Sequence, residues 1–490
     1  MESQKKQVNK SSQFNVGIVG GGIAGSSLAL YLSELGINVS LLEKGEGLVN
    51  GPPICHLHAG GNFYREISEQ QCLTLLAQSI DLLRLYPFAA DYRPTVLAVP
   101  KHDDGTVDEL LPRLHKLQLE YQRLIDENPD NKVLGESRDY FRLFEREQLE
   151  ALALQEPSQD PQSLEQWMIP IAKYVDLDKL KFPLILVQEF GLNTFRLGAG
   201  CTLSLQKNPH CQLLTNSFVT NIIASETGQS WLVDYQQEGV NKQAEFDYLI
   251  NAAGFRSGKI DDMLGFKRQR LVEFKAAYIA RWSDSDCLWP EVVFHGKRGT
   301  PNGMAQFTPY PGGYFQLHGM TGDITLFDEG LVNSSEQSAQ PKLAEKFLKK
   351  IDYKWSEQEM VTRTDRSIEL LGSYIPSFKS AKIGAKPLFG AQQIPGGDPT
   401  LRATDVSFVN ERYARCEAVK ASSVLTCADE IVKQMSACYL IDPSIKPTRS
   451  FPVTQSISEE EIKEQAEKSA QRRDYPLPLA HLNVAKLPLT

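Results

Sequence analysis

Residues 15–44 read NVGIVGGGIAGSSLALYLSELGINVSLLEK, and this stretch decides the fold. An apolar run at 16–19 leads into three consecutive glycines at 20–22 and a further glycine, Gly25. Leucine and alanine then recur at helical spacing before a second apolar run ends at Glu43. The order strand, glycine turn, helix, strand and acid is that of a dinucleotide-binding βαβ unit.

Each position of this motif has a physical task. Gly20 allows a tight turn out of the strand, Gly22 lets backbone N–H groups approach a pyrophosphate, and Gly25 lets the helix lie close to the sheet. Glu43 is placed to accept a hydrogen bond from a ribose 2′-hydroxyl, and its charge would repel a 2′-phosphate. The stretch therefore predicts FAD or NAD. The predicted cofactor-binding residues in it are Gly20, Gly22, Ile23, Ala24, Gly25, Glu43 and Lys44.

Length and composition narrow the class of protein. The 490 residues suffice for two or three domains, and 41% hydrophobic with 23% charged residues is typical of globular proteins. A net charge of −9 argues against a nucleic-acid partner. The eight cysteines contain no CxxC, so reduced thiols are expected and no metal site is predicted. No apolar stretch is long enough to span a membrane. We expect a cytoplasmic protein, with peripheral membrane association as the alternative.

Apolar periodicity predicts the order of elements along the chain. The predicted helices cover 68–86, 110–128, 145–153, 176–188, 343–351, 422–435 and 456–473. The predicted strands cover 92–100, 211–223, 231–235, 244–250, 273–281, 292–295, 305–309, 314–318 and 406–416, with a loop at 390–402. The strand at 244–250 ends in Asn251-Ala252-Ala253-Gly254. This sequence predicts a second approach to the same dinucleotide, through Ala253 and Gly254.

Together these motifs resemble a known family. The residues that carry the resemblance are GIVGGGIAG with Glu43, Leu57-His58-Ala59-Gly60, GLNTFRLGAGCTLSL at 191–205 before the strand with Val219, and YLINAAG at 248–254. They resemble flavoproteins of the D-amino-acid-oxidase-like group, and within it the branch of malate:quinone oxidoreductases and L-2-hydroxyglutarate oxidases. The resemblance covers roughly residues 14–435. It implies FAD as the cofactor, with His58, Ala59, Gly60 and Val219 among its contacts.

The resemblance also implies an architecture. We expect an α/β protein, α+β overall, with a Rossmann-type FAD-binding domain built from discontinuous segments at 14–90, 172–265 and 386–445. A substrate domain with an antiparallel sheet is expected at 91–171 and 266–385, followed by a C-terminal helix and extended tail at 446–490. There is no second GxGxxG and no CxxxxC, which a pyridine-nucleotide–disulfide reductase would need. Electrons are therefore expected to come from the organic substrate.

Candidate catalytic residues follow from the chemistry that the resemblance implies. Oxidation of a 2-hydroxy acid needs a base for the hydroxyl proton, and histidine is best matched to neutral pH. The candidates are His58, His295 and His318. His58 begins HAGG, which is similar to the HAAG of dimethylglycine-dehydrogenase-like members, where the histidine is bonded to the flavin. The alternative for each is a buried histidine that satisfies nearby backbone groups.

The substrate carboxylate calls for a planar, two-pronged donor, which is arginine. The candidates are Arg298, Arg366 and Arg415, with Tyr314 as a residue that closes over the carboxylate. The predicted function is oxidation of a small carboxylate, preferably a 2-hydroxy acid, by hydride transfer to the flavin N5. The electron acceptor is O₂, a quinone or another redox partner. Two alternatives stay open, an amine or amino-acid oxidase or dehydrogenase of the same fold, and a flavin-fold binding or assembly protein without turnover.

Overall fold

The structure is a computed structural model that describes residues 14–50, 67–284, 287–402 and 406–486. In the first half of the described chain the strands are β1 (Asn15–Val19), β2 (Asn38–Leu42), β3 (Ala90–Asp91), β4 (Thr95–Pro100), β5 (Phe141–Phe144), β6 (Leu180–Val187), β7 (Gly191–Leu192), β8 (Cys211–Leu214), β9 (Ser217–Ala224), β10 (Trp231–Gln237) and β11 (Val240–Phe246). They continue with β12 (Tyr248–Asn251), β13 (Arg270–Arg281), β14 (Glu291–Phe294), β15 (Ala305–Tyr310), β16 (Tyr314–Gly319), β17 (Leu331–Asn333), β18 (Lys382–Pro395), β19 (Val406–Asn410) and β20 (Tyr413–Cys416).

The helices of the described residues connect these strands and cover the sheets. They are α1 (Ile23–Glu34), α2 (Glu69–Leu85), α3 (Leu111–Glu127), α4 (Arg146–Leu152), α5 (Leu164–Tyr174), α6 (Thr194–Lys207), α7 (Ser257–Met263), α8 (Glu345–Asp352), α9 (Glu357–Gly372), α10 (Val424–Ala437), α11 (Pro452–Gln455) and α12 (Glu459–Arg472). None of them combines the length and the hydrophobicity that crossing a bilayer needs.

A six-stranded sheet carries the glycine motif. Its order is β19-β20-β12-β1-β2-β8, and every neighbouring pair from β20 to β8 is parallel. β1 therefore lies between β2, which follows it closely in the sequence, and β12, which comes from the middle of the chain. This parallel sheet, with helices on it, confirms the α/β class and the discontinuous nucleotide-binding domain that the sequence predicts.

A second, larger sheet has the order β17-β13-β16-β15-β14-β4-β6-β5, with β18 paired to β13. Its pairs are antiparallel except for β14 with β4. The predicted helix at 176–188 is wrong, because residues 180–187 form strand β6 between β4 and β5. A mainly apolar run such as LKFPLILV does not distinguish a buried strand from a buried helix segment. β6 and β18 thus lie in the large sheet, although the boundaries predicted at 172 and 386 give the first of them and most of the second to the FAD-binding domain.

The two faces of the large sheet differ sharply in chemistry. Phe294, Phe307 and Phe315 point to one side, where they form an apolar core with α4, α5 and α9. Leu97 and Val293 point to the other side and join the core of the nucleotide-binding half. We call this second side the polar face, because the alternation of side chains along the strands also places on it Glu273, Lys275, Glu291, His295, Gln306, Thr308, Gln316 and His318. Except for Lys275 these side chains are at most 8% exposed.

The C-terminal segment packs against the rest of the protein. The side chains of Ile462, Ala466 and Ala470 form a buried stripe on α12, beside residues of α6. The helix has few apolar residues, but three at helical spacing suffice to bury one face. Beyond it, residues 477–480 form a turn of 3₁₀ helix, and Asn193 Nδ2 donates to the carbonyls of Leu479 and His481, both at 2.9 Å. The described residues after α12 thus pack on the rest of the protein and contain one turn of 3₁₀ helix.

Candidate functional site

The turn between β1 and α1 is built for close backbone approach. Gly20 has φ of +107°, and a Cβ at Gly25 would overlap the carbonyl oxygen of Gly20. A Cβ at Gly22, in contrast, would meet no atom within 4 Å. Gly22 begins α1 without a side-chain cap, and the first turn has no acidic residue. The open space at Gly22 and the uncapped N–H groups, including those of Ile23 and Ala24, fit the pyrophosphate of a dinucleotide.

Glu43 is held in place at the end of β2. Its carboxylate accepts from the backbone N–H of Gly21 at 2.6 Å and from that of Gly45 at 2.7 Å. Each carboxylate oxygen keeps a second acceptor position, so a ribose hydroxyl can still bind. The side chain of the next residue, Lys44, lies 3.5 Å from the carboxylate of Asp352. The charge of Lys44 is therefore paired with that of Asp352.

Residues from later in the chain meet the same turn. The backbone N–H of Ala252 donates to the Val19 carbonyl at 2.9 Å, and a Cβ at Gly20 would lie against Ala252 and Ala253. Gly254 follows with φ of +58°. The structure therefore brings Ala253 and Gly254 to the phosphate turn, where the sequence predicts them. Their role as cofactor ligands stays a prediction.

Of the remaining predicted cofactor contacts, Val219 is among the described residues and residues 58–60 are not. Val219 lies on β9, whose first residue, Ser217, donates to the Glu43 carbonyl at 2.8 Å. β9 thus starts beside Glu43. His58, Ala59 and Gly60 lie outside the described residues, so both the contact and the covalent link predicted for His58 stay predictions.

The polar face contains a charged cluster that the sequence analysis identified only in part. Lys275 Nζ lies 2.8 Å from Glu273 Oε2 and donates to Gln392 Oε1 at 3.3 Å. Arg298, from the loop after β14, donates to the other carboxylate oxygen of Glu273. Gln392 in turn donates to the Val419 carbonyl at 2.8 Å, which ties the cluster to the segment before α10. We call Glu273, Lys275 and Arg298 the charged corner.

Burial shifts the titration of these groups in opposite ways. Burial lowers the pKa of Lys275, and nearby Arg402 and Arg298 lower it further against the opposing effect of Glu273. Burial alone would raise the pKa of Glu273, but Lys275 and Arg298 outweigh it and the pKa lies below its ordinary value. Perturbed groups that converge in a buried place are candidates for function. Lys275 was missed because no local pattern marks a lysine in EFKAAYIAR as facing a site.

Of the two described candidate histidines, His318 is nearer to this corner. Tyr278 pairs with Leu317, so His318 stands beside Ala277 and diagonally from Lys275, at a Cα separation of about 7–8 Å. His295 follows β14, two strands away from β16, which is roughly 10 Å by strand spacing. Both side chains are buried, at 3% exposure for His295 and 8% for His318. The structure does not bring the two together.

The remaining substrate-binding candidates lie away from the charged corner. Arg366 is exposed on α9, on the opposite side of the large sheet, and pairs with Asp323 at 2.8 Å. Arg415 is buried and donates from Nε to Asp261 at 2.8 Å, where Arg270 also binds. Tyr314 is on the polar face but four residues from His318, about 13 Å along the strand, beneath the Arg281 guanidinium. Of the predicted carboxylate-binding residues, the corner contains only Arg298.

Comparison with known proteins agrees with this geometry. Residues 15–367 match the family described as FAD dependent oxidoreductase (DAO). The match spans more than half of the chain, so the protein belongs to this family and is an FAD-dependent oxidoreductase. No protein of curated function matches the chain by sequence alone.

Several solved structures are similar to the whole chain. One is glycine oxidase from Geobacillus kaustophilus, with a TM-score of 0.53, 13% identity, and coverage of 89% of this chain and 99% of the other. A second is glycerol-3-phosphate dehydrogenase from Bacillus halodurans, complexed with FAD, with a TM-score of 0.57, 11% identity, and coverage of 95% and 74%. A third is L-amino acid deaminase from Proteus vulgaris, with a TM-score of 0.52, 15% identity, and coverage of 89% and 96%. At these identities the likeness shows the fold.

Proposed function

We propose that this FAD-dependent oxidoreductase oxidises a small carboxylate, preferably a 2-hydroxy acid, by hydride transfer to the flavin N5, with Arg298 and Lys275 binding the carboxylate. The observation that carries the proposal is the charged corner. Two cations share one acid there, on the sheet face that packs towards the nucleotide-binding half. Lys275 and Glu273 are largely buried, whereas the Arg298 side chain is 37% exposed, so an anionic substrate can reach its guanidinium and offset the excess positive charge.

The donors left over in the corner suit a carboxylate. Arg298 has five N–H donors, and among the residues that the structure describes it contacts Glu273 and the Met320 sulfur, which lies 4.0 Å from Nη1. Lys275 has three donors, of which Glu273 and Gln392 take two. A planar fork beside a point charge can hold one carboxylate and fix its orientation. Arg402, close enough to affect the pKa of Lys275, adds to the positive potential.

His318 is the described candidate for the base. It lies diagonally from Lys275 on the same face, so a substrate anchored by its carboxylate could present the adjacent hydroxyl to the imidazole. His58 stays a second candidate from outside the described residues. His295 is less suited, because β16 and β15 lie between it and Lys275, although Arg298 follows it by three residues.

The choice of a 2-hydroxy acid rests on the resemblance of the glycine motif, Leu57-His58-Ala59-Gly60 and NAAG to the malate:quinone oxidoreductase and L-2-hydroxyglutarate oxidase branch. An amino acid is the second candidate, because glycine oxidase and L-amino acid deaminase are among the similar structures. Glycerol-3-phosphate dehydrogenase, also similar, is named for a hydroxylated anion. All three names denote compounds that carry at least one anionic group.

The test is anaerobic reduction of the purified holoenzyme by a matched panel of 2-hydroxy acids and amino acids, followed through the visible flavin absorption. Bleaching by one or more 2-hydroxy acids supports the proposal, and bleaching by amino acids alone supports the second candidate. No bleaching by either class contradicts both. Oxygen uptake and quinone reduction with the active substrate then identify the electron acceptor.

The role of the charged corner is tested on the same substrate. Arg298→Met is expected to raise KM by about tenfold or more, because hydrogen bonds to a charged group contribute about 1.5–3 kcal/mol and the Arg298 side chain is 37% exposed rather than buried. Arg366→Met is the matched control, since its guanidinium is exposed on the far side of the sheet. Equal KM values in the two variants would exclude Arg298 as the carboxylate anchor.

A further inference from the structure

The loop at 45–50, which we call the cofactor loop, is fastened to both parts of the dinucleotide motif. The backbone N–H of Gly45 donates to the Glu43 carboxylate at 2.7 Å. The backbone N–H of Val49 donates to the carbonyl of Gly21 at 2.8 Å, within the glycine turn. The position of the loop is therefore coupled to the ribose-binding acid at one end and to the phosphate turn at the other.

Two arginines contact this loop: Arg472, the last residue of α12, and Arg473, which follows it. Arg473, just beyond the helix, donates from Nη2 to the Asn50 carbonyl at 3.3 Å and from Nη1 to the Val49 carbonyl at 3.5 Å. Arg472 lies against Gly47, where any Cβ would overlap its guanidinium. The C-terminal segment thus covers a loop from the N-terminal part of the chain. More than 400 residues separate Val49 from Arg473.

Arg473 is held from several sides. Its guanidinium lies 5.0 Å from the ring centre of Phe195 on α6 and 5.7 Å from that of Tyr475. The Tyr475 hydroxyl donates to the Pro387 carbonyl of the large sheet at 2.8 Å. Burial lowers the pKa of Arg473, and Arg472 beside it contributes in the same direction. Arg473 is half-buried, and its guanidinium uses two donors to hold two carbonyl groups of the cofactor loop.

The helix that carries the two arginines is itself well anchored. Ser458 and Glu461 form a capping box at its start. Arg196 of α6 pairs with Glu459, and Lys207 pairs with Glu461 at 2.9 Å. With the buried stripe against α6, these contacts fix α12 on the nucleotide-binding half. Arg473 is therefore presented to the loop by a rigid element.

We propose that Arg473 is a positioning residue for FAD: from the C-terminal helix it holds the cofactor loop against the glycine turn, so that Glu43 and the turn retain the bound cofactor. The sequence that follows the loop, Gly51-Pro52-Pro53, brings no charged or hydroxyl side chain. α12 brings two arginines to the same loop. The C-terminal segment is thus a working part of the cofactor site, and this role does not depend on which substrate is oxidised.

The test compares FAD affinity in Arg473→Gln, Arg473→Lys and Lys468→Gln, measured by flavin fluorescence on equilibrium dilution of the holoenzyme. Lys468 is the matched control, since it is an exposed cation on the same helix. We expect Arg473→Gln to weaken FAD binding about tenfold, as for the loss of hydrogen bonds from a charged group. Arg473→Lys keeps the charge without the fork and should lose less. Lys468→Gln should match the unmodified protein.

Thermal unfolding of the apoprotein separates positioning from general stability. Positioning predicts weaker FAD binding in Arg473→Gln with an unchanged apoprotein midpoint. Unchanged FAD affinity, an equal loss in Lys468→Gln, or an apoprotein midpoint that falls along with the affinity would each overturn the proposal. If Arg473→Gln does not fold, Arg473→Lys and Arg472→Gln decide instead, and full FAD affinity in both rejects it.

Discussion

The glycine turn and the charged corner are both parts of the site, but the chain builds them in opposite ways. The turn is made within residues 15–44, where Gly20, Gly25 and Glu43 contact one another or their immediate neighbours. The charged corner joins β13 to the loop after β14 and to β18, and its members are ordinary residues in their local sequence. The first depends on backbone space, which glycine alone supplies. The second depends on which strands pair.

The largest effect is expected from a substitution that disrupts the glycine turn. Gly25→Ala places a Cβ against the Gly20 carbonyl oxygen, which is backbone and cannot move aside. We expect a loss of about 3 kcal/mol or more in the free energy of unfolding, with little FAD retained. Urea denaturation and the ratio of flavin to protein measure both quantities.

Gly22→Ala is the matched control, because its Cβ would stand in open space and its φ of −67° suits alanine. Its apoprotein should unfold within about 0.5 kcal/mol of the unmodified protein, while FAD binds more weakly because the methyl group enters the pyrophosphate space. If Gly22→Ala retained FAD fully, the pyrophosphate would not lie over this turn.

The second effect concerns Arg415. The sequence analysis proposed it as a substrate-binding residue, but its side chain lies in a buried ionic network. Asp261 accepts from Arg415 at 2.8 Å, from Arg270 at 2.6 Å and from the Tyr413 hydroxyl at 2.9 Å. Arg415→Met should lower the free energy of unfolding by about 3 kcal/mol and leave KM unchanged. A raised KM with unaltered urea denaturation would return Arg415 to the substrate site.

The third effect is a pH dependence of the charged corner. The pKa of Lys275 lies below its ordinary value of 10.5, so its charge is lost as pH rises through the lowered pKa. Affinity for a carboxylate inhibitor should fall in that alkaline range. Arg keeps its charge there, so Lys275→Arg should move the fall to higher pH. Inhibitor titration of the flavin spectrum across pH measures it, and an unmoved alkaline limb would mean that another group titrates.

The same shift links the corner to stability. Between the lowered pKa and 10.5 the unfolded chain holds a proton on Lys275 that the folded chain has released, so this group makes stability rise with pH in that window. Glu273 acts at the acid end, where its lowered pKa contributes stability above about pH 4.5 that is lost as pH falls through the folded value. Lys275→Met should remove the alkaline rise and also reduce the acid-end contribution of Glu273, because Lys275 helps to lower the pKa of that carboxyl.

The smallest expected effect is at Arg366. Its pair with Asp323 is exposed, and such pairs contribute about 0–1 kcal/mol. Arg366→Gln should leave KM unchanged and shift the free energy of unfolding by less than about 0.5 kcal/mol. A clear rise in KM would show that α9 reaches the substrate.

Local patterns explain what could be predicted from the sequence. The βαβ unit, the NAAG return and the helices at 68–86 and 110–128 follow from glycine positions and from apolar spacing. Helix α9 was missed, although Ser356 caps it by accepting from the Glu359 N–H, a Ser-x-x-Glu pattern visible in the sequence. Strand β6 was taken for a helix because its apolar run has no decisive period.

The charged corner could be predicted only in part, for a different reason. Arg298, Arg366 and Arg415 carry the same chemistry, and only strand pairing decides which of them meets the polar face. Lys275 is placed there by its alternation with Phe274 and Ala276, which face the opposite side. Three arginines of equal standing in the sequence thus become a substrate candidate, a surface residue and part of a buried network.

The position of β1 in its sheet also determines when each of its two neighbouring strands becomes available during synthesis. One edge of β1 pairs with β2, which emerges almost at once, while the other edge waits for β12 and the sheet then extends to β20. At ribosomal rates of roughly 5–20 residues per second, the glycine motif is complete tens of seconds before its second neighbour exists. The nascent chain therefore exposes one edge of β1 over that interval, until β12 at Tyr248–Asn251 has been made.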